Sequence, residues 1–357
     1  MNKTATPSFW GSVHGWLHQR FPIDQQVLIS MGREPVPGHL KRWWWCLGGT
    51  PAFLFLVQAV TGVLLTFYYV PTPEKAYESV QMITNEIRFG WYIRSLHKWS
   101  ATLMIIALLL HMMRVFFTGA YRKPREGNWI LGCFLLLLTL GFGFTGYSLI
   151  YEQLSYWGAT VAGNILDAVP LAGPYLADFL RGGPHVGSNM LTRLFVFHIG
   201  ALPTIMVAVL LAHLLLMRAH GVSELEPTSE ADAVRFPFIP DHLLTEIGIA
   251  MFLMFLLSFL AVVFPVGMGP KANPLVTPEH IKPEWYFFWA FRWLKLVPDR
   301  VAVITQGLFL GILVAWPLFD GWIRRKRPGS EASVWVGACV VGILLTLTIW
   351  EAVALLH

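Results

Sequence analysis

Seven stretches of the chain are apolar for about 20 residues or more: 46–70, 91–116, 127–149, 191–217, 243–265, 301–321 and 333–355, here runs A to G. About 20 apolar residues in a helix cross a hydrocarbon core, so the pattern predicts an all-α integral membrane protein with seven transmembrane helices. Ahead of them, Trp10, Val13, Trp16, Leu17 and Phe21 are interleaved with His14, His18 and Arg20. That mixture predicts an amphipathic segment lying in the membrane interface, within residues 1–45. The runs fall into two groups. Residues 223–240 open on the acidic, polar stretch Ser223-Glu-Leu-Glu-Pro-Thr-Ser-Glu-Ala-Asp, dividing a four-helix domain (46–222) from a three-helix domain (241–357). Residues 150–190 and 266–300 are too long for simple turns and rich in Gly, Pro, Trp and Tyr, the kind of connection that carries function.

Composition agrees with the pattern. The 357 residues are 55% hydrophobic and only 13% charged, about half the charge of a soluble domain. The net charge of +5 reflects loop residues beside a membrane rather than nucleic-acid binding. Lys41, Arg42, Arg122, Lys123, Arg125 and Arg324 to Arg327 gather on one side of the seven-helix topology, which places the N-terminus in the cytoplasm and the C-terminus outside. Lys271, Lys282, Arg292, Lys295 and Arg300 lie on the outer side and oppose that bias. The N-terminal residues lack a signal-peptide core and cleavage site. Of the three cysteines, Cys133 and Cys339 lie in apolar runs, so no disulfide framework is implied.

Run B contains His97 and His111, fourteen residues apart; run D contains His198 and His213, fifteen apart. At about 100° and 1.5 Å per residue, each pair falls on roughly one side of its helix, separated by about 21–22 Å along the axis. One histidine in an apolar helix is more often a satisfied core residue than a ligand. Two matched pairs point to two stacked bis-histidine sites, and neutral imidazole suits iron. Gly48 and Gly62 on run A, and Gly132 and Gly146 on run C, repeat the fourteen-residue gap. A porphyrin between helices needs neighbours without side chains at its own depth; ordinary small-residue packing is the alternative. Arg94 lies three residues before His97 and Arg114 three after His111, placed for haem propionates or for lipid head groups.

Longer motifs carry a resemblance. Cys46-Leu-Gly-Gly, Phe89-Gly-Trp-Tyr-Ile-Arg-Ser-Leu-His97, Lys123-Pro-Arg-Glu, Gly143-Phe-Thr-Gly-Tyr-Ser-Leu149 and Leu191-Thr-Arg-Leu-Phe-Val-Phe-His198 resemble the cytochrome b6 branch of the cytochrome b family. From about Pro240 onward, Asn273-Pro, Thr277-Pro and Pro283-Glu-Trp-Tyr-Phe287 resemble subunit IV of the same complexes. The resemblance implies one chain in which both parts are fused. His97 with His198 would then hold the outer haem b, and His111 with His213 the inner one. Pro283, Glu284, Trp285 and Tyr286, with Tyr147 opposite, would form the quinol-oxidation site, Glu284 taking a proton. Cys46 would attach a third haem by a thioether bond, with Arg218 beside a propionate; taken alone, a buried cysteine is usually a small hydrophobe.

The implied function is the cytochrome b subunit of a quinol:cytochrome c oxidoreductase that translocates protons. Its implied partners are a Rieske iron–sulfur protein and a c-type cytochrome subunit, within a homodimeric complex. A dihaem membrane anchor of a dehydrogenase would share the histidines but not Pro283-Glu-Trp-Tyr. Where relatives have Leu-Pro-Trp-Asp, this chain has Leu149-Ile-Tyr-Glu152. The missing proline is expected to relax the turn, and Glu152 to be a solvated loop acid.

Overall fold

The computed structural model describes residues 35–38, 47–183, 186–223 and 234–354. The interfacial segment at 7–30, Cys46 and most of the acidic linker lie outside the described residues.

All seven apolar runs are helices. They are α1 (Gly49–Thr66), α3 (Gly90–Phe117), α4 (Glu126–Leu149), α7–α8 (Ser188–Val196 and Leu202–His220), α9 (Leu243–Val263), α11 (Asp299–Lys326) and α12 (Ala332–Ala354). Each is long and apolar enough to cross a membrane. Short helices occupy the loops: α2 (Ala76–Asn85), α5 (Gln153–Asp167), α6 (Gly173–Arg181) and α10 (Phe288–Leu296). Large apolar side chains such as Leu56, Leu215 and Phe255 stand exposed along the spans, as lipid-facing positions must.

Run D is one helix with a wide turn in it. The π-helical turn Phe197–Ala201 joins α7 to α8, with Leu202 N–H donating to the Phe197 carbonyl. Pro203 follows in the first turn of α8 and has no N–H to offer the Ile199 carbonyl, a local reason for the turn to open. The turn absorbs one residue. The fifteen-residue gap from His198 to His213 then rotates like a fourteen-residue gap, about −40° instead of +60°. Both histidine pairs thus keep the same angular relation.

The structure comprises two compact units. In the smaller, Pro35–Val36 pairs antiparallel with Phe236–Pro237, burying Val36 against Phe236. The larger contains residues 47–223 and 252–354. There α1 packs on α3 and α4 on α8, so runs A to D form two helix pairs. Leu54, Val57, Leu96, Met104, Leu135 and Leu257 make the main buried core.

The loops at 150–190 and 266–300 lie at one end of the larger unit, here the long-loop end. Hydrogen bonds stitch them together: Gln153 N–H donates to the Pro270 carbonyl (2.8 Å) and Asn273 N–H to Gln153 Oε1 (2.6 Å), while Tyr77 Oη–H of α2 donates to the Gly269 carbonyl (2.8 Å). Glu152 differs from its expectation as a solvated acid. It is half-buried, caps the N-terminus of α5 through a reciprocal bond pair with Ser155, and accepts Gly269 N–H at 2.7 Å. Nor is the turn before it relaxed: Tyr151 adopts φ +56°, a left-handed conformation costly for a tyrosine, and is buried. The backbone donor that replaces proline at Ile150 is used, donating to the Tyr147 carbonyl at 3.3 Å.

At the opposite end a second staple joins the two sets of helices. Asp320 of α11, 2% exposed, accepts Arg122 Nε (2.8 Å), Ser333 Oγ and Arg324 Nε (3.4 Å). Tyr121, Trp129 and Trp316 close over it as a buried aromatic group.

Candidate functional site

The four histidines and four glycines meet one to one. A Cβ placed on Gly62 would lie 3.3 Å from His97 Cε1; on Gly48, 3.4 Å from His111; on Gly132, 3.6 Å from His213; on Gly146, 2.7 Å from His198. Gly48 and Gly62 of run A therefore face the two histidines of α3, and Gly132 and Gly146 of α4 those of run D. The repeated fourteen-residue gap reflects this register.

Second partners, invisible in the histidine spacing, hold the pair nearer the long-loop end. Thr61 Oγ1 lies 2.9 Å from His97 Nδ1, and Thr145 Oγ1 lies 2.9 Å from His198 Nδ1. Both hydroxyls already donate to a helix carbonyl four residues back, Val57 (2.7 Å) and Gly141 (2.8 Å). Each must then accept from its histidine, which puts the proton on Nδ1 and leaves the Nε2 lone pair for a ligand. The signal was in the sequence as a repeated dipeptide, Thr61-Gly62 and Thr145-Gly146.

The two rings lie with centroids 6.3 Å apart at an interplanar angle of 68°. Metal–histidine bonds run about 2.0–2.1 Å, as for zinc, and a ring nitrogen lies about 1.1 Å from its centroid, so two imidazoles on one ion stand about 6 Å apart. The spacing fits. Among the described residues no group of three or more His, Cys, Asp or Glu forms a metal cage. Paired histidines supply two axial ligands, which suits an iron whose other four ligands come from a macrocycle. At the other pair, Arg114 Nη2 lies 3.2 Å from His111 Nδ1. The buried His213 Nδ1 sits near the Asn128 carbonyl without completing a hydrogen bond.

Arg94 is buried, and its guanidinium donates to the Val266 (2.7 Å) and Gly267 (2.9 Å) carbonyls and to Thr84 Oγ1 (3.3 Å). In this arrangement it anchors the 266–300 loop. Arg218 is exposed in the last turn of α8.

Glu284 has a partner that sequence reasoning missed. Lys98, directly after His97, forms a short ion pair with its carboxylate. Pro283 and Glu284 lead into a 3-10 turn, Trp285–Phe287, in which Tyr286 is buried and Trp285 packs edge-on at 5.6 Å. The Tyr286 hydroxyl seats against Gly143 of α4, where a Cβ would come within 2.5 Å. Burial, then the Glu284 carboxylate and the Tyr147 phenol, push the Tyr286 pKa well above its ordinary value. Tyr147 is an electrostatic neighbour of both Glu152 and Glu284, so the expected residues gather at one place.

Family profiles match both parts of the chain. The profile for cytochrome b/b6/petB matches residues 31–221, and that for cytochrome b(C-terminal)/b6/petD matches 271–353. The chain belongs to the cytochrome b family. It is 43% identical to the cytochrome bc complex cytochrome b subunit of Chlorobaculum thiosulfatiphilum, over 94% of this chain and 80% of that one. It is 48% identical to the cytochrome b6 of Heliobacterium modesticaldum, over 58% of this chain and 98% of that one. A solved structure titled hyperthermophilic respiratory Complex III superposes with a TM-score of 0.74 at 25% identity, covering 94% of this chain and 96% of that one. Family membership, fold and spans together make this an integral, multi-pass membrane cytochrome b of the bc/b6f type.

Proposed function

We propose that this cytochrome b is the quinol-oxidising core of a quinol:cytochrome c oxidoreductase, with the oxidation site at the long-loop end. The observation that carries the reading is the Lys98–Glu284 ion pair, which ties the carboxylate to the residue next to a haem-ligand candidate.

Oxidising a quinol releases two protons and two electrons. Glu284, ion-paired with Lys98, is a candidate proton acceptor held at the edge of an apolar wall made by Tyr286, Trp285 and Tyr147. Taking up the proton neutralises the carboxylate and removes its attraction to Lys98, which frees the acid to release the proton to water. The high pKa of Tyr286 keeps its phenol a neutral hydrogen-bond donor to a quinol oxygen.

His97 with His198 and His111 with His213 would hold two haem b groups, with Gly48, Gly62, Gly132 and Gly146 as clearance and Arg114 and Arg218 toward propionates. When bound, the haems would supply one-electron carriers at two depths; Cys46 would attach a third by a thioether bond, on the side of a quinone site at the opposite end. A Rieske iron–sulfur protein takes the other electron and a c-type cytochrome follows it.

We place the long-loop end outside and the N-terminus in a bacterial-type cytoplasm. The placement rests on the count of Lys and Arg near the span ends, where Arg122, Lys123, Arg125 and Arg324 to Arg327 gather on one side. Of the five opposing charges, Lys271 pairs with Glu78 (3.1 Å), and Arg292 and Lys295 pair with Glu351.

In the purified complex, Glu284→Gln is expected to lower quinol:cytochrome c turnover by about 10²-fold, the range for losing a general base, with both b-haem spectra intact. Unchanged turnover removes the assignment. For Cys46, haem staining of this chain on a denaturing gel is expected to vanish in Cys46→Ser.

A further inference from the structure

The helix that follows the Glu284 turn is held by a charge cluster around one buried acid that the proposed chemistry does not use. Helix α10 begins at Phe288, directly after Trp285–Phe287, and lies along α12. On its α11 side it is pinned by two neutral hydrogen bonds, Trp293 Nε1–H to Thr305 Oγ1 (2.8 Å) and Gln306 Nε2–H to the Ala290 carbonyl (3.0 Å). On its α12 side the contact is ionic. Arg292 and Lys295, one turn apart, both reach Glu351: Lys295 Nζ donates to Oε1 at 2.5 Å, and Arg292 Nη1 lies 3.6 Å from Oε2. The Arg292 guanidinium stacks 3.8 Å above the Trp350 ring.

Three features make this cluster poor as a device for stability alone. Glu351 is 0% exposed, so its charge is fully desolvated. It sits in the last turn of α12, where the helix dipole disfavours an anion. Its Oε2 and the Arg292 Nε are buried without hydrogen bonds among the described residues. Well-packed apolar residues would hold the two helices with less penalty. What the ions add is register: two cations on one face of α10 meeting one fixed acid allow a single rotation of that helix about its axis. α12 also packs directly on the Trp285–Phe287 turn.

We propose that Glu351 is a positioning residue for the quinol site, fixing α10 through Arg292 and Lys295 and so aiming the turn that carries Trp285 and Tyr286. This rests on the reading of Glu284 as part of that site. A misplacement of about 1 Å in such a wall costs up to about 10²-fold. In the purified holo-complex, Glu351→Gln is expected to change quinol KM or kcat by about tenfold with both b-haem spectra and haem content unchanged, and Glu351→Asp to recover part of the loss. Where Glu351→Gln does not assemble, Arg292→Lys keeps the charge, loses the Trp350 stack and is expected to shift KM in the same sense. Kinetics within twofold of wild type, or a loss that only tracks lost haem, overturns the proposal. Measured beside it, Glu284→Gln separates two failures. Collapse there with normal Glu351 kinetics leaves the site standing and removes the clamp; no effect at Glu284 removes the site and the clamp together.

Discussion

At the long-loop end, Thr61 and Thr145 hold the Nδ1 atoms of His97 and His198 at 2.9 Å; at the opposite end, Arg114 meets His111 Nδ1 at 3.2 Å, and His213 Nδ1 has only the nearby Asn128 carbonyl, with no completed hydrogen bond among the described residues. The two pairs share helices, spacing and glycine partners, yet differ in how their protons are set. A threonine whose own hydrogen is committed to a helix carbonyl can only accept, so it fixes the ligating tautomer before any cofactor arrives. A guanidinium can only donate, so beside Arg114 the His111 Nδ1 must offer its lone pair. Ligation through Nε2 there requires Arg114 to turn away, toward an anion such as a propionate. On the proposed assignment, the long-loop pair would be preorganised by the protein and the other pair completed by its ligand.

Glycine clearance gives the largest effect that separates the pairs. A Cβ at Gly146 would lie 2.7 Å from His198, against 3.6 Å between Gly132 and His213. Gly146→Ala is expected to overpack the site nearer the long loops by about 1–3 kcal/mol and lower haem content there more than Gly132→Ala lowers it at the other site. Dithionite-reduced spectra of the two variants decide; equal loss in both breaks the comparison. Next in size is the tautomer clamp. Thr145→Val is expected to weaken haem retention at that site by about 10- to 100-fold, as for other residues that orient a metal ligand, and to leave the second haem alone. Haem release on titration with apo-myoglobin measures it. The smallest effect lies at the Tyr286 seat. Gly143→Ala is expected to lower quinol turnover by about tenfold at full haem content, because the new methyl displaces the Tyr286 ring. Steady-state kinetics with the haem spectra as control check it.

Much of this was legible along the chain because it is periodic. The spans, the histidine pairs and the glycine register follow from helix geometry, which turns a residue count into an angle and a depth. Thr61 and Thr145 were legible too, each directly before its glycine, but only once the facing nitrogen was known. Other contacts leave no periodic trace. Lys98 and Glu284 are 186 residues apart, and nothing in either segment names the other. Glu152 read as an exposed acid because the loop segment it bonds, at Gly269, is 117 residues away. Arg94 read as a candidate for propionates or lipid head groups from its place three residues before His97, and that spacing could not show its donors meeting the Val266 and Gly267 carbonyls.

The sequence by itself determined seven spans, two histidine pairs matched by glycines, and the motifs that assign the family, because hydrophobic period and local spacing are properties of a single helix. Only the tertiary structure decided how a fifteen-residue gap behaves like fourteen, which nitrogen of His97 and His198 is protonated, and which cation meets Glu284. Each depends on where a second segment comes to rest. That is fixed by packing and hydrogen bonding across the bundle rather than by the order of residues within one helix.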